Sequence, residues 1–109
     1  PETYAAQMME AIGVALRQAR GVVVVVSPAE TRAQAAYLDA LLPPLRRRLE
    51  TTPDLRFVNL APEPALMDPL QRLDGWNYGG DAVAAAAGAI TPAMLELIAR
   101  SGRRPAVAR

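Results

Sequence analysis

The hydrophobic residues of this chain recur with two different spacings, and these spacings predict an order of helices and strands. Near the start, four apolar residues recur at every fourth position: Tyr4, Met8, Ile12 and Leu16. This spacing places them on one face of a helix over residues 2–19, where they are expected to face the core. The run Val22–Val26 shows no alternation of apolar and polar residues. Because β-branched residues favour strands, it predicts a strand buried on both faces, as in the interior of a parallel sheet.

A second helix is predicted directly after this strand. Ser27, Pro28 and Glu30 match a capping box in which Ser27 is the N-cap and Pro28 is the first helical residue. The helix is expected to extend to Leu42 and to break or kink at the pair Pro43–Pro44, because proline has no backbone N–H to donate. One or two further helical turns are expected beyond the prolines.

The rest of the chain predicts one more strand and two more helices. Residues 55–60 form the second strand, so the strand–helix–strand order predicts a parallel, right-handed crossover unit. Asp68 is expected to cap a short helix that ends near Leu73. Asp81 is expected to cap an alanine-rich helix over residues 82–87, which can restart at Thr91–Pro92 and stops at Ser101–Gly102.

This order of elements predicts an α/β fold, with parallel strands in a three-layer α/β/α arrangement of the flavodoxin-like type. Only two strands are visible in the pattern, and a two-stranded parallel sheet is not stable by itself. We therefore expect an incomplete half of a fold, whose further strands come from the remainder of a larger chain or from a second copy in a homo-oligomer. Residues 1–102 are expected to form this single domain or partial domain, and residues 103–109 a flexible C-terminal tail.

Composition narrows the chemistry by exclusion. Apolar residues make up 51% of the chain, enough for a core, and the net charge of +1 predicts no nucleic-acid partner. No uninterrupted apolar run is long enough to span a membrane, so a soluble domain with no membrane partner is predicted. The sequence contains no histidine and no cysteine, so it excludes a Ser-His-Asp triad, a Cys-His dyad and a thiolate metal site within the chain. No metal site and no cofactor are predicted. All 12 basic residues are arginine, which is typical of a GC-rich bacterial genome. Without cysteine, the sequence does not distinguish a cytoplasmic protein from one exported after processing.

The strongest candidate site is the segment Asp74–Asp81, which contains the only tryptophan and three glycines. Glycines let backbone amides approach a ligand closely, and a helix N-terminus favours negative charge. Ligands of open α/β sheets bind at the carboxyl ends of the strands, so Ser27 and Asn59 are expected to join this site. The candidate ligand-binding residues, for a small molecule of unknown identity, are Ser27, Asn59, Asp74, Trp76, Asn77, Gly79, Gly80 and Asp81. The simpler alternative is structural: Ser27 only caps a helix, Asn59 satisfies a loop and Trp76 fills the core.

The order of these features resembles the C-terminal half of the SGNH/GDSL hydrolases, a family of three-layer α/β/α esterases and carbohydrate deacetylases. The resemblance rests on Pro1–Tyr4 before a helix, a strand ending in Ser27–Pro28, the strand segment Phe57–Leu60, and an Asp-containing turn before the last helix. The family's Asp-x-x-His pair supplies the acid and base of its triad. Here Asp74 matches the aspartate, and Asn77 stands where the family has histidine.

This resemblance implies an SGNH-like fold and a nucleophilic serine and oxyanion residues that lie upstream of this chain. Because an asparagine cannot accept the proton of the serine, the chain alone is expected to be inactive. Asp74 remains the one catalytic candidate in the sequence.

A second segment is similar to a different family. Gly75–Asn77 followed by Gly80–Asp81 is similar to the Gly-Trp-Asn-Thr turn of an uncharacterised bacterial domain family, although Tyr78 departs from its threonine. That turn also precedes an alanine-rich helix late in an α/β region, and it implies no activity. Three hypotheses follow: a non-catalytic α/β domain for binding or assembly, a C-terminal fragment of an SGNH-like esterase or deacetylase, or an oligomeric scaffold whose valine strands pair between copies.

Overall fold

The computed structural model of the chain describes residues 1–68 and 79–102, which form a mixed α/β structure. Its elements in chain order are α1 (Glu2–Gln18), β1 (Val22–Val26), α2 (Arg32–Thr51), β2 (Leu55–Asn59), α3 (Pro64–Met67) and α4 (Gly80–Gly102). The α/β class predicted from the sequence is therefore confirmed. The predicted short helix that ends near Leu73 and the predicted tail over residues 103–109 lie outside the described residues.

The two strands pair in parallel along their whole length. Val22 lies opposite Leu55 and Val26 lies opposite Asn59, so the register has no slip. The Val22 N–H donates to the Asp54 carbonyl at 2.9 Å, and the Leu60 N–H donates to the Val26 carbonyl at 2.7 Å. Among the described residues, β1 and β2 are the only strands, and each pairs with no strand but the other.

One core cluster joins α1 and α2 to the strands. Ile12 of α1, Leu45 of α2 and Leu55 of β2 are buried together, and Leu45 is completely inaccessible to solvent. Val22 and Val24 pack against this cluster from β1. The predicted core-facing position of Ile12 is thus confirmed.

A second core cluster joins α3 and α4 to the strands. Val58, Leu60, Leu66 and Ala82 are buried in it, and Val23 packs against them from β1. Burial of aliphatic side chains such as these removes apolar surface from water and contributes about 25 cal/mol per Å². The cluster places the start of α4 beside the carboxyl end of β2.

Two ion pairs hold the second half of α4 against the β2 side of the strand pair. Arg56 Nε lies 2.9 Å from Glu96 Oε2, and Arg100 Nε lies 2.9 Å from Asp54 Oδ1. Glu96 and Arg100 are four residues apart and therefore share one flank of the helix. This flank of α4 accordingly faces β2 and the loop before it.

The start of α2 corrects the sequence prediction. The helix begins at Arg32, and its N-cap is Thr31, whose side chain accepts a hydrogen bond from the Gln34 N–H at 3.1 Å. The Gln34 side chain in turn accepts from the Glu30 N–H at 2.7 Å. The prediction that Ser27 is the N-cap was wrong, because Thr31 and Gln34 form a competing Thr-x-x-Gln capping arrangement four residues later.

The end of α2 agrees with the further helical turns predicted beyond the prolines. The helix continues through Pro43 and Pro44 to Thr51, so it does not break at these prolines. Each proline removes one backbone donor and normally costs about 3 kcal/mol inside a helix. Complete burial of Leu45, just after the prolines, provides packing that offsets this cost.

Candidate functional site

The carboxyl ends of the two strands are the predicted location of a ligand. The register places Asn59 opposite Val26, so Ser27 and Asn59 both lie at the carboxyl ends of the two strands, on the same end of the sheet. Both are exposed. The Asn59 side-chain carbonyl accepts a hydrogen bond from the Ala61 N–H at 3.0 Å, which is the local loop contact that the structural alternative requires.

Ser27 lies in a cleft between the start of α1 and the start of α2. The cleft has a volume of about 290 Å³ and is lined by Tyr4, Ser27, Pro28, Ala29, Gln34, Tyr37 and Leu38. The rings of Tyr4 and Tyr37 meet edge to face, with centroids 5.1 Å apart. Because Ser27 does not cap α2, its hydroxyl is a polar group on the wall of this cleft.

This Ser27 cleft can hold a small neutral molecule. It offers two aromatic side chains and hydroxyl and amide groups, and its volume is near the lower end of the range for ligand pockets, about 300 Å³. It does not bring together a nucleophile and a base. No residue that lines the cleft carries a carboxylate or a guanidinium group, so apart from its two tyrosine hydroxyls the described part of the site contains no general acid or base.

The glycine-rich turn is described only at its end. Gly79 is buried, Gly80 is the first residue of α4, and Asp81 lies in the first turn of that helix. The Val83 N–H donates to the Gly79 carbonyl at 3.1 Å, which closes this first turn. The other predicted residues of the turn, Asp74, Trp76 and Asn77, lie outside the described residues.

The described residues of the turn and the Ser27 cleft contact different helices. The α4 start packs through Ala82 on the cluster of Val58 and Leu60, whereas the cleft is formed with α1 and α2. Within residues 1–68 and 79–102, the structure does not bring Gly79, Gly80 or Asp81 to the wall of the cleft that contains Ser27. In the same ranges, no three acidic side chains gather closely enough to bind a metal ion.

A second cleft, which the sequence analysis did not identify, lies between β1 and the second half of α4. It has a volume of about 350 Å³ and is mostly apolar, with lining residues Arg20, Gly21, Val23, Met94, Leu97, Ile98 and Ser101. At one end, Arg20 donates a hydrogen bond to the Ser101 hydroxyl at 3.3 Å. Met94 and Ile98 remain 49% and 63% exposed. The sequence contained a signal for this cleft. The apolar residues near Met94 occupy more of the helix surface than a single stripe facing the core requires.

The helix α4 has a further property that bears on its partners. By length and composition alone it could cross a membrane, and 11% of its apolar stretch is buried. Core helices of soluble proteins meet the same criterion, so this property is weak support for a membrane span. It does establish that α4 carries apolar surface beyond what the described chain covers.

Comparisons of the sequence with known protein families, with curated proteins and with solved structures find no match.

Proposed function

We propose that the chain is a non-catalytic α/β assembly domain, whose two-stranded parallel sheet is extended by strands that pair with its open edge. One observation carries the proposal. Among the described residues, β1 pairs with β2 alone, while apolar side chains of α4 remain exposed beside the free edge of β1. Isolated two-stranded sheets are marginal in water, and three or more strands are the usual requirement for stability.

The proposed parent fold is a three-layer α/β/α arrangement, and the alternation of side chains along the strands supports it. Val22 and Val24 contact the cluster of α1 and α2, whereas Val23 contacts the cluster of α4. Successive side chains of a strand point to opposite faces of the sheet. Helices on both faces are the architecture in which parallel sheets occur, and such sheets normally contain more than two strands.

Hydrogen exchange over a range of protein concentrations tests the assembly proposal. The Val22 N–H is bonded to the Asp54 carbonyl, and N–H directions alternate along a strand, so the amides of Val23 and Val25 point away from β2. We expect Val22 and Val24 to be protected at every concentration. Val23 and Val25 should be protected only when another strand is paired with them.

Protection of all four amides in a sample that sedimentation shows to be monomeric would contradict the proposal. In that case the β1 edge would already be covered within one chain. Its valines would then need no external strand.

A second proposal follows from the Ser27 cleft and from the hydrolase resemblance. In it the chain is the C-terminal part of an SGNH-like esterase or deacetylase, and a small molecule binds in the cleft beside Ser27. The cleft at the carboxyl end of β1 favours this alternative, because ligands of α/β sheets bind at that edge. The chain itself contains no histidine, so we expect no hydrolysis of p-nitrophenyl acetate above that of a heat-denatured sample. Turnover by the native chain would show that our assignment of an inactive domain is wrong.

A further inference from the structure

We propose that the strand that extends the sheet is β1 of a second copy of this chain. The two β1 strands pair antiparallel about a two-fold axis and give a four-stranded sheet in the order β2-β1-β1-β2. This inference rests on the assembly function proposed above and names its partner.

The two flanks of α4 indicate which edge of the sheet is open. The flank toward β2 carries Glu96 and Arg100, and both are paired with residues of the β2 side at 2.9 Å. The opposite flank carries Met94 and Ile98, which lie beside β1 and are about half and nearly two thirds exposed. A charged, paired flank is suited to solvent, whereas an exposed apolar flank is suited to burial. Within the described part of the chain, the uncovered side is therefore that of β1.

The edge of β1 also lacks the features that keep edge strands from pairing. Natural edge strands are protected by charges, prolines, bulges or short length. β1 consists of five valines in regular register with β2, and Val25 is 40% exposed. Its outward N–H and carbonyl groups at Val23 and Val25 pair with no other strand of residues 1–68 and 79–102 and can form a new ladder.

A second copy of β1 fits this edge by symmetry. If Val24 lies on the two-fold axis, Val22 is opposite Val26 of the second copy and Val23 is opposite Val25 of the second copy. Directly opposed residues point to the same face of a sheet, so the two α4 helices come to lie on one face and the α1–α2 pairs on the other. Met94 and Ile98, which line the cleft next to Val23, then lie over the exposed Val25 of the second copy. Each apolar group thus meets an apolar group, as an isologous interface requires.

Both copies contribute the same apolar patch to such an interface. Its exposed side chains are Val25, Met94 and Ile98, at 40%, 49% and 63% exposure. The net charge of +1 per chain adds little repulsion between copies.

Single-cysteine variants test the register, since the chain has no cysteine of its own. In Val24→Cys the two introduced thiols face each other across the axis, in a non-hydrogen-bonded pair whose Cα atoms are about 4.5 Å apart. In Val22→Cys the two introduced thiols are separated by four residues along the strand direction. This separation is about 14 Å, which is beyond the reach of a disulfide. We expect mild oxidation to give a covalent dimer for Val24→Cys and almost none for Val22→Cys.

A matched pair of lysine variants tests the association itself. Val25→Lys places a charge on the proposed interface, whereas Val14→Lys places it on α1 at almost the same exposure, 38% against 40%. By sedimentation equilibrium we expect the unmodified chain and Val14→Lys to approach twice the 11.6 kDa chain mass. Val25→Lys should weaken association at least tenfold and should keep its far-ultraviolet circular dichroism.

The outcomes separate this inference from the assembly function on which it rests. A monomer whose Val23 and Val25 amides exchange freely at all concentrations would overturn the second copy as partner and leave the assembly function standing. Equal cross-linking at positions 22 and 24 would overturn the register. Binding of a monomer to vesicles of phosphatidylcholine and phosphatidylglycerol, with no dimer in solution, would instead assign the apolar flank of α4 to a lipid surface and overturn the inference.

Discussion

The contact between Gly21 and α4 gives the sharpest test of how this helix is placed. A Cβ atom at Gly21 would lie 3.1 Å from Leu97 Cδ1 and 3.2 Å from Leu97 Cβ and Cδ2. These distances are tighter than ordinary van der Waals contact, and the Leu97 Cβ cannot move away by a simple rotamer change. Gly21→Ala should therefore push α4 away from the start of β1.

The magnitude follows from two opposing terms. Overpacking of a well-packed site costs about 1–3 kcal/mol. The alanine also restricts the unfolded chain, which stabilises the fold by about 0.4–1 kcal/mol. The difference between these terms spans about 0–2.6 kcal/mol, and we expect Gly21→Ala to lower the free energy of unfolding by about 1.3 kcal/mol, the difference between their midpoints.

Gly88→Ala provides a matched control, for which the expected change in stability has the opposite sign. It lies inside α4, and a Cβ atom there would meet nothing within 4 Å. Alanine is favoured over glycine in a helix interior by about 1 kcal/mol, so Gly88→Ala should stabilise the chain by that amount.

Urea and thermal unfolding, followed by circular dichroism at one fixed protein concentration, measure both variants. For a domain of this size, about 1 kcal/mol corresponds to a change in Tm of about 4–8 °C. Fixed concentration matters because association stabilises the folded state by mass action. If Gly21→Ala raises the Tm as Gly88→Ala does, then Leu97 does not pack against Gly21 and our placement of α4 is wrong.

Three further predictions concern the cap, the core and the ion pairs. Thr31→Ala should destabilise the chain by about 1 kcal/mol in urea unfolding, because Thr31 caps α2. Ser27→Ala should have almost no effect, because Ser27 does not cap this helix. A larger loss of stability for Ser27→Ala than for Thr31→Ala would show that Ser27 is the cap. Leu45→Ala should cost about 2–5 kcal/mol, because the side chain is fully buried, and a loss below 1 kcal/mol would show that α1 and α2 are not packed around it. Asp54→Asn should lower the free energy of unfolding by about 0–1 kcal/mol at low salt. This loss of stability should disappear in 1 M NaCl, because salt screens the partly exposed pair of Asp54 with Arg100. A loss of stability that does not depend on salt would mean that the pair does not stabilise the chain electrostatically.

Much of the fold was predictable from local patterns. The valine run and the segment after Asp54 were identified as parallel strands, because β-branched runs and the helix between them leave few alternatives. The last helix was predicted in the right part of the chain, but Asp81, its predicted cap, lies inside the first turn of α4, which begins at Gly80. These features depend on a few neighbouring residues, so one sequence is sufficient to predict them.

The errors came from competition between local signals. Ser27 and Thr31 both precede residues that can complete a cap, and the sequence does not rank them. The structure selects Thr31, whose hydroxyl meets the Gln34 N–H, and leaves Ser27 on the wall of a cleft. The prolines of α2 were expected to break or kink the helix before one or two further turns. The helix continues through them to Thr51 without a break, because packing at Leu45 is a long-range term that propensity does not include.

The candidate site was less predictable than the fold. Ser27 and Asn59 lie together at the carboxyl ends of the two strands as expected, since the paired parallel strands end at the same level. The Ser27 cleft, however, is completed by Tyr4 and Tyr37, which come from two helices far apart in sequence. No local pattern associates these residues.

The sequence by itself determined the class of this protein and its chemical limits. The absence of histidine and cysteine excludes whole groups of mechanisms, and hydrophobic spacing fixes the order of helices and strands. Only the tertiary structure decided which surfaces remain uncovered. Among the described residues, β1 pairs with β2 and α4 docks toward β2 through Glu96 and Arg100. The other edge of β1 is therefore open in this part of the chain, because a strand can pair on two sides and a helix covers only the strands beneath it.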